Sequence, residues 1–172
     1  MTLIEDTKIK LEEIFLNYGF NDKRKPHKEA FALAHYIKSK EFLAASKILK
    51  NNYIELSQPY LHLLAQSVEL AIKGYMISCG EEPKKIHDLV KLTSKAEDLG
   101  LKLEQKEASS IVLLNHYFFQ DLITETKFKT RYPTEFQEAI GGPVPDHNIV
   151  EGFYESISLQ AKRRCDFLNQ LM

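Results

Sequence analysis

The run from Ser57 to Gly80 constrains this chain more than any other part of it. Leu61, Leu64, Ala65, Val68, Ala71, Ile72, Tyr75, Met76 and Cys79 recur at the three- and four-residue steps of one helix face. Ser57 is placed to cap the start, and Pro59 fits the first turn, where a missing N–H costs nothing. Gly80 is placed to cap the end. A helix with this much apolar surface is stable only when other elements cover it. The spacing therefore predicts a helical bundle built around residues 57–79.

The remaining segments repeat the helical period. Residues 2–18 predict a first helix, with Thr2 as its cap and Ile4, Ile9, Leu11, Ile14 and Phe15 apolar. Residues 21–28 form a polar hinge, and Pro26 suits the first turn of the next helix. That helix covers about 27–51, with Ala30, Ala34, Ile37, Ala45, Ile48 and Leu49 as its expected inner face. Ser39-Lys40 is the point at which it would divide. Further helices are expected at 86–98, ending before Gly100, at 104–128, and at 147–170. The last one carries Val150, Phe153, Tyr154, Ile157, Ala161, Cys165 and Leu168 on one face. Residues 140–148, IGGPVPDHN, read as a loop. No segment reads as a strand.

A chain of 172 residues fits one domain and buries a core without metals or disulfides. Its formal charge of −1 supplies no overall field to attract nucleic acid. Cys79 and Cys165 stand far apart, as buried small hydrophobes in a reducing compartment would. The acidic start MTLIEDTKIKLEE is unlike a signal peptide, and no apolar run is long enough to cross a bilayer. A cytoplasmic protein without membrane contact is expected.

Three places could carry chemistry. His62, Gln66, Glu69 and Lys73 form a polar stripe on the central helix, with Glu69 and Lys73 in the order that favours an ion pair. The stripe is either a solvated face or the wall of a polar cleft. His87-Asp88 precedes a helix, where Asp88 can interact with the N-terminus and His87 can cap or pack. Lys127 to Tyr132 alternates basic and aromatic residues at a helix end, which serves either termination or phosphate and base contact. Arg163 is expected to face solvent, while Arg164 edges the apolar stripe. The histidines show no metal-binding spacing, so neither a metal site nor a cofactor is expected.

Glu69 and Lys73, then GEEP at 80–83, HDL at 87–89 and RYP at 131–133, in this order and spacing, resemble the HEPN family of all-helical domains. The resemblance covers roughly residues 57–133. The 147–170 helix completes the bundle, and residues 1–50 add helical material that could cover a cleft. It implies an all-α, up-and-down antiparallel bundle of five to seven helices, forming a single domain over 1–172. HEPN ribonucleases carry an Arg and, after four to six intervening residues, a His. Here the arginines are Arg24, Arg131, Arg163 and Arg164, and none stands in that relation to a His.

The resemblance thus implies a non-catalytic binding module with a polar cleft between helices. The cleft would take a nucleotide, another anionic ligand or a protein partner. Glu69, Lys73, His87, Arg131 and Tyr132 are the expected contacts, and no catalytic residue is expected. A homodimer is implied, with a nucleotide or RNA as ligand. Two alternatives from the same family are a ribonuclease of a toxin–antitoxin or phage-defence system, and a structural partner of a small nucleotidyltransferase.

Overall fold

A computed structural model describes residues 28–83, 85–119 and 143–164. Five helices follow one another: α1 (Lys28–Lys50), α2 (Tyr53–Ser78), α3 (Leu89–Asp98), α4 (Gln105–Phe118) and α5 (His147–Lys162). The described residues contain no strand, so the all-helical expectation holds. The expected helix at 2–18, the far end of the helix expected at 104–128, and residues 165–170 of the last lie outside the described residues.

The central helix is α2, which packs against all four others. Leu61, Leu64, Ala65, Val68, Ala71, Ile72, Tyr75 and Met76 are buried, as their spacing predicts. Leu56 breaks the helical geometry with φ −117° and ψ 25°, one residue before the expected start. Pro59 therefore lies in the first turn of the straight segment. At the other end Gly80 takes φ +85°. Its N–H donates to the Ile77 carbonyl at 2.9 Å, and that of Glu81 to Met76 at 3.0 Å. The left-handed turn satisfies two terminal carbonyls, as glycine at this place permits. Gly100 closes α3 by the same pattern, with φ +91° and bonds to Glu97 and Ala96.

The α1 and α2 helices form a hairpin across Asn51-Asn52, and this is the most extensive packing among the described helices. The expected inner face of α1 is wrong at four of its six residues, while Ala45 is half-buried and Leu49 packs against the core. Ala32, Tyr36, Ser39, Leu43 and Ser46 face inward, whereas Ala30, Ala34, Ile37 and Ile48 are exposed. Small residues decide this. A β-carbon on Gly74 would lie 3.1 Å from the Tyr36 ring and 3.3 Å from His35 Cβ, so the backbones approach closely here. The Ser39 hydroxyl donates to the Ser67 carbonyl at 2.8 Å, and that of Ser46 to Leu43 at 2.7 Å. Both serines are buried because backbone oxygens satisfy them. Ser39-Lys40 does not divide the helix, which runs unbroken for 23 residues.

The later helices match their spacing. Val150, Phe153, Ile157 and Ala161 of α5 are buried, and Tyr154 is packed against the core. Its hydroxyl donates to the Tyr36 carbonyl at 3.2 Å and ties α5 to α1. Arg163 is exposed, while the Arg164 guanidinium stands 5.6 Å from the Tyr75 ring centre, at the edge of the apolar face. Burial pushes the Tyr75 phenol up to about 12.

Candidate functional site

Three consecutive residues at the mouth of α3 divide three tasks. Leu89 is fully buried in the core. Asp88 caps the helix, its carboxylate accepting from the Lys91 N–H at 3.1 Å. The Leu89 N–H donates to Asn115 Oδ1 of α4 at 2.7 Å, so a second element helps to fix this helix start. With Asp88 and Leu89 held, His87 turns back toward α2.

There it meets Glu69. His87 Nδ1 lies 3.1 and 3.3 Å from the two carboxylate oxygens. Lys73, one turn further along α2, donates to Glu69 Oε1 at 2.7 Å. The side chains are 4% exposed for Glu69, 12% for Lys73 and 38% for His87. One buried carboxylate thus holds an ammonium and an imidazole, and the imidazole is the most open of the three. The solvated-face reading of the stripe is therefore wrong. His62, at its start, packs its ring 5.4 Å from that of Phe118 and is half-buried.

The sequence offered no reason to include His35, which α1 brings to the same place. Its charge balance responds to both Lys73 and Glu69. Burial is the main reason that its pKa lies below the ordinary histidine value, and the Lys73 charge adds to the shift. A bond of 2.9 Å between Nδ1 and the Phe31 carbonyl opposes it. Phe31 itself is exposed, and its ring meets that of His35 edge-on at 4.6 Å. The signal that could have found His35 is weak. Only the correct inner face of α1 places it next to α2.

The arrangement can hold charge in a fixed geometry. With His87 neutral, Glu69 and Lys73 cancel; with it protonated, the three carry +1. The carboxylate orients both donors before any ligand arrives, which lowers the cost of binding an anion. Of the expected site residues, the structure brings together Glu69, Lys73 and His87. Arg131 and Tyr132 lie outside the described residues. Among the described residues no group of three or more His, Cys, Asp and Glu side chains could hold a metal ion. No helix among them is long and apolar enough to cross a membrane.

A family model described as HEPN domain matches residues 32–157, from α1 into α5. No curated protein and no solved structure matches the chain.

Proposed function

This chain belongs to the HEPN family, and from that premise we propose that it is a non-catalytic binding module for a nucleotide or similar phosphate-bearing ligand. The site is the junction of α1, α2 and the segment leading into α3. One observation carries the reading. A buried carboxylate, Glu69, fixes Lys73 and His87 together in a bundle whose interior is otherwise mostly apolar. Charged groups in such surroundings are costly unless well paired, so a cluster of this kind is a candidate binding site. Exposed Phe31, touching His35, offers an aromatic surface for a base beside a place for phosphate. Arg131 and Tyr132 would join it as the family resemblance implies. The partner class implied by the same resemblance is a small nucleotidyltransferase.

Calorimetric titration with a panel of nucleotides tests this. Saturable binding is expected, weakened about ten- to a hundredfold in His87→Ala, Lys73→Ala and Arg131→Ala, the range for a lost hydrogen bond to a charged group. Absence of binding at millimolar ligand overturns the proposal.

One observation favours a ribonuclease as the second reading. A carboxylate on Nδ1 is the arrangement that orients an imidazole for proton transfer. RNA cleavage abolished by His87→Ala and slowed by Glu69→Gln would establish that reading in place of the first.

A further inference from the structure

Between the turn that joins α3 to α4 and the last two turns of α5 lies a pocket of about 540 Å³. Lys102 and Glu107 stand on one wall, and Gln160, Arg163 and Arg164 on the other. None of its lining residues belongs to the Glu69 cluster, so the inference does not rest on the ligand site.

The two walls are fastened together. The Lys102 N–H donates to Gln160 Oε1 at 2.9 Å, and Gln160 Nε2 donates back to the Lys102 carbonyl at 2.9 Å. Nε2 also bonds to Ser156 Oγ at 3.2 Å. The pocket is thus held at a fixed width before any ligand arrives, which lowers the cost of binding. Gly100 supplies room beside it. A β-carbon there would lie 2.6 Å from the Arg164 guanidinium, which rests on bare backbone instead.

The charges of the pocket are unbalanced. Lys102, Arg163 and Arg164 are exposed, and none of them is ion-paired among the described residues. The Glu104 carboxylate is bonded to Lys106 at 2.9 Å. Glu107 is only 5% exposed, and its Oε2 accepts from the Glu104 N–H at 2.7 Å. Its Oε1 accepts no hydrogen bond among the described residues. A buried carboxylate left short of donors is costly, because both of its oxygens can accept. The pocket therefore suits a ligand that brings a cation to Glu107 and anions to the three cations.

We propose that this pocket binds an acidic amino acid, either free or at the amino end of a short peptide. Its ammonium group meets Glu107 Oε1, and its carboxylates meet Lys102, Arg163 and Arg164. Guanidinium groups hold carboxylates through two parallel bonds, which gives direction as well as attraction. Leu103 and Leu159 also line the pocket and cover the ligand's methylene carbons. Small-molecule sites commonly enclose about 300–1,000 Å³, and this volume falls in that range. A nucleotide fits the lining less well. Among the described lining residues none is aromatic, so a base has nothing to stack on, and Glu107 repels phosphate.

NMR titration of the full chain with glutamate, the dipeptide glutamyl-glutamate and glutarate tests this. Glutarate is glutamate without its ammonium group. Saturable shifts are expected at the backbone amides of Gly100 and Lys102 and at the side-chain amide of Gln160. Glutamate should bind about tenfold tighter than glutarate or better, the range for a hydrogen bond to a charged group. That preference should disappear in Glu107→Gln, whose side-chain oxygen still serves the Glu104 N–H. Arg163→Ala should weaken both ligands about tenfold, with the fold intact because the residue is exposed. Tighter binding of the dipeptide assigns the site to a peptide end, and tighter binding of glutamate to the free amino acid; either supports the proposal. Equal binding of glutamate and glutarate overturns it, as does a preference that survives in Glu107→Gln. No shift with glutamate or the dipeptide at millimolar concentration overturns it too. Shifts centred on Glu69, Lys73 and His87 also overturn it, because the probe then occupies the other site.

Discussion

The first two helices are of similar length and lie side by side, yet their residues are sorted by different rules. On α2, apolar residues are buried on several sides, because four other helices surround it. Beyond the exposed Glu55 in its first turn, its charges also belong to the interior: Glu69 is buried, and Lys73 nearly so. On α1 the inward face includes two serines and an alanine, and the outward face carries two isoleucines. Most of what α2 buries is apolar, and the polar groups that it buries with them, Ser67 and Glu69, are hydrogen-bonded. On α1, close approach of two backbones outweighs hydrophobicity, since small residues and satisfied hydroxyls let the helices come nearer than isoleucines would.

The largest expected effect comes from two adjacent residues of α1. Tyr36→Ala should cost about 3–5 kcal/mol, the range for a large aromatic removed from a core. Ile37→Ala should stay within about 0.5 kcal/mol, as a surface change. Urea denaturation of both variants checks this. Equal losses would abolish the distinction between the two faces.

Lys73→Met comes next. It leaves the Glu69 carboxylate buried with His87 as its remaining partner in the cluster. A loss of about 3 kcal/mol is expected, at the low end for breaking a buried pair because His87 still bonds to it. A loss below about 1 kcal/mol, as for a surface ion pair, would put α2's charges under the rule of an exposed face.

Gly74→Ala probes the boundary between the helices. Alanine favours a helix by about 1 kcal/mol over glycine. The added methyl would press on the buried Tyr36 ring, a contact that costs about 1–3 kcal/mol when the core cannot shift. A net destabilisation of about 1 kcal/mol is expected in thermal unfolding. A stabilised variant would show that α1 and α2 are less tightly joined than their distances indicate.

The smallest effect depends on pH. His147 of α5 is buried against Tyr60 of α2, and its ring nitrogens have no hydrogen-bond partner among the described residues. Burial, with the nearby Lys50 and Lys47 charges, lowers its pKa, against a smaller opposing pull from Glu151 and Asp146. The unfolded chain therefore takes up this proton before the folded one does. Stability is full above the ordinary histidine value of 6.5 and falls as pH drops below it toward the folded value. The slope is at most about 1.4 kcal/mol per pH unit for each such histidine. His35 on α1, also lowered, adds to the same loss. Denaturation midpoints at pH 7.5 and 5.5 should differ less in His147→Phe than in the unaltered protein. An unchanged difference would show that burial of His147 is not the source of the acid sensitivity.

The sequence was most legible where one physical rule acted alone. Gly80 and Gly100 marked helix ends because a left-handed turn selects glycine, and both helices end as expected. His87 and Asp88 were marked as a helix entry, but their division of labour was not readable. Asp88 caps α3 because its side chain reaches its own backbone. His87 finds Glu69, eighteen residues away, only because Asn115 and Leu89 hold that entry against the core. Glu69 and Lys73 were paired correctly by their spacing and wrongly allowed to face solvent, since periodicity does not reveal how many neighbours a helix has.

What the sequence determined by itself is the five described helices, the glycine ends of two of them and the dominance of the central one, although that helix starts at Tyr53 and not at the expected Ser57 cap. These depend on contacts within a few residues and on the repeat of apolar side chains. Only the tertiary structure decided which face of α1 turns inward, that Glu69 is buried, and that His35 comes near the site. Each of those outcomes depends on the distance between two backbones, and that distance is set by the small residues of both helices together.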